Sequence, residues 1–189
     1  MAQAQRSEPA QSPRSEPVLV TSSNAPELRP ELMAGMANFS KVLKDNRTLP
    51  ERLCELMRLR IAFHNQCRPC MSMRYGTAVD DGLTEDLVCS LERPDEPSDL
   101  TPAERAAINF GDKFASNHLS ITAADRLALN EHFTPEQIVE LALLAALATG
   151  FGRFGAVFDT GGSYPVGERR DGVRLTPWGI DEPTVVRAS

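Results

Sequence analysis

The chain has 189 residues, a mass of 20.7 kDa, 26 acidic against 20 Lys and Arg residues, a formal charge of -6 and a pI near 5.1. That length suits one core with appended arms, and the acidic balance excludes a protein whose main task is coating nucleic acid or an anionic membrane. No apolar run is expected to reach the roughly 20 residues that span a bilayer, and the N-terminus lacks the apolar stretch of a signal peptide, so the expectation is a cytoplasmic protein.

Residues 1–26 are rich in Ser, Pro, Gln, Glu and Ala without apolar period and read as a flexible N-terminal arm. From Pro30 the pattern becomes helical. Leu32, Met33, Met36, Phe39, Val42 and Leu43 recur every three or four positions until Asp45-Asn46, and that stripe is expected to be buried. Pro50-Glu51 opens a second helix with Leu53, Leu56, Met57, Ile61 and His64 on the period and Glu55 among them. A third is expected to start around Cys67 to Pro69, where a proline costs nothing. It would run unbroken through Met71, Met73, Tyr75, Ala78 and Val79 to the Asp80-Asp81-Gly82 stop. Thr84 caps a short helix to Leu91, and a loop of Pro94, Asp95, Pro97, Ser98 and Asp99 follows.

Thr101-Pro-Ala-Glu104 combines an N-cap, a first-turn proline and a capping-box Glu, and opens a helix through Ala106, Ala107, Ile108, Phe110 and Phe114. Two more helices follow, Thr122 to Phe133 and Pro135 to Thr149. The second is so apolar that it is expected to be the central buried helix. No segment shows strand alternation, so the fold class is all-α, with one helical domain over residues 27–160. Residues 161–189, with Val173, Leu175 and Trp178 among Gly, Pro and Arg, are expected to pack on the core or on a neighbouring subunit.

In a reducing compartment four cysteines do not read as a disulfide framework, and the close pair Cys67-Arg-Pro-Cys70 reads as catalytic, redox-sensing or metal-binding. Cys54 and Cys89 stand alone and read as small buried apolar residues. Two thiols one turn apart can close a short disulfide, and the first peptide units of a helix favour a thiolate. A structural zinc site wants four ligands. No second Cys-x-x-Cys or His pair accompanies this one, because His118 and His132 lie in separate helices. No flavin, nicotinamide or metal motif is present, so no cofactor or metal is expected.

Glu55, Leu59-Arg60, Asn65, Cys67 and Cys70 are followed by a Thr-Pro-Ala-Glu-Arg helix and a long Leu/Ala helix ending near Gly152-Arg153. Over roughly residues 30–160 this series resembles the carboxymuconolactone decarboxylase and alkylhydroperoxidase D superfamily. The resemblance implies an alkylhydroperoxidase D-like helical bundle that forms a homo-oligomer. Because the cysteine pair is present, it further implies the branch of thiol peroxidases and disulfide reductases. The motif of that branch is a Glu on the preceding helix, then Cys-x-His-Cys with another His four residues beyond. Glu55, Cys67 and Cys70 match, while Pro69 and Arg74 stand where the histidines would. The resemblance implies that Cys70 attacks and Cys67 resolves. The position at a helix start instead makes Cys67 the more exposed and more acidic thiol, so the order stays open. It also implies a small peroxide or disulfide as substrate, and a lipoyl-bearing or thioredoxin-like protein as reductant.

An arginine cannot take a proton at working pH. Arg74 is therefore expected to act by charge, one helical turn beyond Cys70, with Arg68 as a second cation. Proton delivery to the leaving group then falls to water, Glu55 or His64. The candidate catalytic set is Cys67, Cys70, Glu55, Arg74 and His64. Two other functions compete with this one. The first is a non-redox enzyme or binder of a small anion, with Arg60, Arg74 or Arg153 as the clamp. The second is a structural oligomer in which Pro69 and Arg74 record lost catalysis.

Overall fold

Four helices begin where a threonine hydroxyl replaces a missing intrahelical acceptor, a signal written in local sequence. Thr84 accepts from Leu87 N at 3.3 Å. Thr101, Thr122 and Thr134 form reciprocal capping boxes with Glu104, Asp125 and Gln137. The computed structural model describes residues 17–91 and 99–159, and the backbone of 184–186. Its helices are α1 (Ala25–Leu28), α2 (Pro30–Asp45), α3 (Glu51–Asn65), α4 (Arg68–Ser72), α5 (Gly76–Asp80), α6 (Glu85–Ser90), α7 (Pro102–Asn117), α8 (Ala123–Leu129) and α9 (Pro135–Val157). A 3-10 turn covers His118–Ser120, and two short strands, β1 (Met73–Tyr75) and β2 (Thr184–Val186), pair in parallel. The class is all-α, as expected.

The central helix is α3, and not α9 as its apolar sequence had suggested. Every α3 residue from Leu53 to Phe63 is buried, with Leu56, Met57, Leu59 and Ile61 at 0 % exposure. One side of α3 meets Ala107 and Ala115 of α7 with Leu141, Leu144 and Ala145 of α9. The other side meets Met71, Ala78, Leu87 and Val88 of the α4–α6 segment. At about 1.5–3 kcal/mol for each fully buried aliphatic side chain, this helix anchors the fold. Apolar composition does not by itself place a helix at the centre. α9 leaves Val139, Leu143 and Val157 exposed, whereas α3 hides even its charges by pairing them.

By length and composition α9 is apolar enough to cross a membrane, against the expectation that no run in the chain is. In this fold it packs on α3, α7, α4 and α2. The stripe on α2 also departs from expectation. No α2 residue is buried, and Leu32, Phe39 and Val42 are 59 %, 38 % and 49 % exposed.

The expected unbroken helix from Cys67 to Val79 is interrupted at Met73–Tyr75, which is extended. Distant groups outbid the helical ladder there: Tyr75 N donates to Glu55 Oε1 at 3.1 Å, Met73 O accepts from Arg58 Nη2 at 2.8 Å, and the backbone pairs with β2. That pairing brings the backbone of 184–186 to the core; the rest of the 161–189 expectation lies outside the described residues. The arm reading of 1–26 falls outside them up to residue 16. Its last part is tied down, with Ser22 N donating to Phe158 O at 3.0 Å and Ala25 buried at the start of α1.

Candidate functional site

α3 stops at Gln66, whose φ of 52° is left-handed, and this turn points the chain into α4. Cys67 is the N-cap of α4, Pro69 sits in its first turn, and Cys67 O accepts from Met71 N at 2.8 Å. The two cysteines, Cα atoms 5.2 Å apart, form the Cys67–Cys70 disulfide. Cys67 has no exposure, whereas Cys70 is partly exposed. The helix-start argument for Cys67 as the more exposed sulfur is corrected: the turn tucks it between α3 and α9, beneath the rim that carries Cys70.

The wall behind the sulfurs is Gly155 of α9. A methyl group at that position would lie 3.1 Å from Cys67 Sγ and 4.0 Å from Cys70 Sγ, so glycine lets α9 pass close to the disulfide. One turn earlier, Gly152 leaves the space that Asn65 fills, and Asn65 Nδ2 donates to Ala148 O at 3.0 Å. Sequence reading missed Gly155. It carried no distinct signal, because α9 also holds Gly150, Gly152 and several alanines.

Glu55 is 2 % exposed and accepts three hydrogen bonds: Arg58 Nε at 2.6 Å, Arg58 Nη2 at 2.8 Å and Tyr75 N at 3.1 Å. The same guanidinium donates to Cys70 O and Met73 O, both at 2.8 Å. Arg58 is thus a pin joining α3 to the end of the cysteine helix. Burial works against its charge, but the Glu55 carboxylate and its hydrogen bonds more than offset this and hold the pKa above the ordinary arginine value. Arg58 was missed, although its spacing of three from Glu55 on a helix was legible.

The other candidates face elsewhere. Arg74 is wholly buried, with Nε and Nη2 donating to Glu85 at 2.8 and 3.0 Å and Nη1 donating to Met71 O at 2.6 Å. Helical stacking above Cys70 was the reason to choose it, and the extended β1 removes that geometry. His64 Nε2 shares Asp112 Oδ1 at 2.7 Å with Arg60 Nε, which donates at 2.6 Å. Burial pushes the Asp112 carboxyl up, yet the hydrogen bonds from His64 and Arg60 prevail and hold it below the usual range.

The proposed anion clamps are engaged as well. Arg60 Nη1 donates to Leu91 O at 2.6 Å and Arg153 Nη2 to Ala115 O at 2.7 Å. Arg68 reaches Asp159 at 3.6 Å. Cys54 is buried as expected, and burial pushes its thiol up to about 12; Cys89 is exposed, because it lies on the outer face of α6. Among the described residues no three His, Cys, Asp or Glu side chains gather into a metal-binding group.

Residues 30–113, from α2 through most of α7, match the carboxymuconolactone decarboxylase family. The match covers less than half of the chain. Protein YdfG of Bacillus subtilis is 28% identical over 127 residues, covering 62% of this chain and 80% of that protein. Rv2313c of Mycobacterium tuberculosis is 32% identical over 114 residues, and the chain spans 39% of its length. Three solved structures share the fold at 17–21% identity. A protein of unknown function from Agrobacterium tumefaciens gives a TM-score of 0.64, covering 76% of this chain and 97% of that one. A peroxidase-related protein with an alkylhydroperoxidase AhpD core from Ralstonia eutropha gives 0.59, covering 70% of each chain. The debrominase Bmp8 also gives 0.59, covering 70% of this chain and 71% of that one. The structures that share this fold include a peroxidase-related protein and a debrominase, so the cysteine site of this chain has to be read from its own residues.

Proposed function

We propose that this protein is a thiol oxidoreductase that reduces a small hydroperoxide or disulfide through Cys67 and Cys70, in a reducing compartment such as the cytosol. The observation that carries the reading is the Cys67–Cys70 disulfide with one buried and one accessible sulfur. In the reduced protein the accessible Cys70 thiolate attacks the terminal oxygen of a hydroperoxide. The O–O bond breaks, and the alcohol leaves after taking a proton from water. Cys70 is then a sulfenic acid. Cys67 gives up its proton and attacks the Cys70 sulfur; the S–O bond breaks and the departing hydroxide takes that proton as water. Two thiols are oxidised by two electrons, and one hydroperoxide becomes alcohol plus water.

An external dithiol, lipoyl-bearing or thioredoxin-like, restores the thiols by disulfide exchange, starting at the exposed Cys70 sulfur. Glu55 has no role as a proton shuttle in this scheme, because its oxygens are committed to Arg58 and Tyr75 N. Its part is to hold Arg58, and through it Cys70, in place. Arg74 and His64 are supports of the scaffold. A second copy of the chain covers the apolar residues that α2 and α9 leave exposed, giving a homo-oligomer.

The test is alkylation of the reduced protein across pH, with the label located by mass spectrometry, beside titration with cumene hydroperoxide. The expected result is Cys70 labelled first with an apparent pKa below the free-cysteine value of about 8.5. One hydroperoxide should be consumed for each pair of thiols lost, and Cys67→Ser should leave a sulfenic acid on Cys70 that dimedone traps. Thiols inert to both reagents would end the proposal.

A further inference from the structure

We propose that the cavity walled by α2, α3 and α9 binds a small organic monoanion with an apolar body, its negative head received by Lys44 and Tyr75. The inference comes from the charge balance of the cavity wall and is independent of the cysteine chemistry proposed above. The cavity holds about 450 Å³, within the roughly 300–1,000 Å³ of small-molecule sites.

Three acids line it, and each already has its own cation. Asp45 pairs with Lys41, and Arg47 Nη1 meets Glu51 Oε2 at 2.6 Å. Glu55 holds Arg58. One positive charge is left over, that of Lys44. Lys44 is half-buried, and its Nζ lies 5.8 Å from the centroid of the Tyr75 ring. It makes no ion pair or hydrogen bond with another described residue. A partly desolvated ammonium against an aromatic face favours an anion, and the charge-assisted contact is stronger than a neutral one.

The Tyr75 hydroxyl likewise has no hydrogen-bond partner among the described residues. Burial, with the Glu55 and Glu51 charges, outweighs the Arg58 and Arg47 cations and keeps this phenol above its ordinary range. It therefore stays a donor at neutral pH. The rest of the lining includes the apolar side chains of Leu43, Leu144 and Leu147.

The count of charges sets the class of ligand. A second negative charge on the ligand would face Glu51 and Glu55 with no further unpaired cation, and a cationic ligand would meet Lys44. Cys54 lines the cavity, but with its thiol pushed up to about 12 it is an apolar surface and no nucleophile. The site therefore binds without forming a thiol adduct.

The test uses calorimetric titration of decanoate into the full chain, with decanamide as the uncharged control. The expected result is saturable uptake of one decanoate per chain, with decanamide bound at least about tenfold more weakly. Lys44→Gln should lose a similar factor, the scale of one charge-assisted contact, and Tyr75→Phe should weaken binding without altering the circular dichroism spectrum. The double variant Cys67→Ser/Cys70→Ser, in which no disulfide can form, should keep the parent affinity, so this proposal and the redox reading stand or fall separately. The proposal is overturned if decanoate shows no saturable uptake, if decanamide binds as tightly, or if Lys44→Gln binds decanoate like the parent.

Discussion

Replacing Arg58 by Met tests whether the pin between α3 and the cysteine helix is what holds the site. The side chain is of similar length, so the loss is one of charge and hydrogen bonds. Four bonds go: two to Glu55 and one each to Cys70 O and Met73 O. The larger effect is that Glu55, 2 % exposed, keeps its charge with no counter-ion and only the Tyr75 N hydrogen bond. Breaking a buried pair in this way costs about 3–5 kcal/mol, a large share of the roughly 5–15 kcal/mol that stabilises a domain.

The double variant Arg58→Met/Glu55→Gln removes the stranded charge and leaves the two carbonyls without their donor at about 1 kcal/mol each, so it should cost about 2 kcal/mol. Urea unfolding followed by circular dichroism, with an unchanged slope, gives both numbers. In the single variant the Cys70 carbonyl is unmoored, and alkylation of reduced Cys70 should change its pH profile, a readout that stability alone would not move. The reasoning is refuted if Arg58→Met costs under about 1 kcal/mol, or if the double variant is no more stable than the single.

Two glycines on the same helix should respond in opposite directions. Gly155→Ala places a methyl against Cys67 Sγ and should cost about 1–3 kcal/mol by overpacking, while Gly150→Ala, with nothing within 4 Å, should stabilise by up to about 1 kcal/mol through helix propensity. Both are read in the same urea assay. Arg74→Met should destabilise by about 2–4 kcal/mol, mainly by leaving Met71 O without its donor and the Glu85 pair broken, with the Cys70 alkylation profile unchanged. A shifted thiol profile in that variant would mean that Arg74 acts on the cysteines after all. Asp112 has a depressed folded-state pKa, so its contribution is complete above the unfolded value of about 3.9 and disappears as pH falls through the lower folded value. Asp112→Asn should therefore lower stability at neutral pH and flatten the acid limb of a pH–stability curve measured by thermal melting.

What could be read from sequence was local. Thr101-Pro-Ala-Glu104 announced α7 because a capping box depends only on residues three apart, and the same holds for Thr84 and for the proline-led starts of α3 and α9. The family pattern placed Glu55, Cys67 and Cys70 on adjoining helices, since spacing and caps suffice for that. Where side chains go was another matter. Arg58 drew no reading and Arg74 read as a cation beside Cys70, because burying a guanidinium is unfavourable until a carboxylate and free carbonyls are supplied. Those partners come from β1, from Glu85 and from the end of the cysteine helix.

By itself the sequence determined the all-α class, most helix starts and the existence of a cysteine pair one turn long, each being a matter of short-range geometry. Only the tertiary structure decided that α3 rather than α9 is central, that the helix after Cys70 breaks at Met73, and that Cys67 is sealed against Gly155 while Cys70 stays accessible. The physical reason is shared by all three. Each depends on a distant group, whether β2, the Glu55–Arg58 pair or the bare backbone of α9, that competes with local preference and is absent from any short window of the chain.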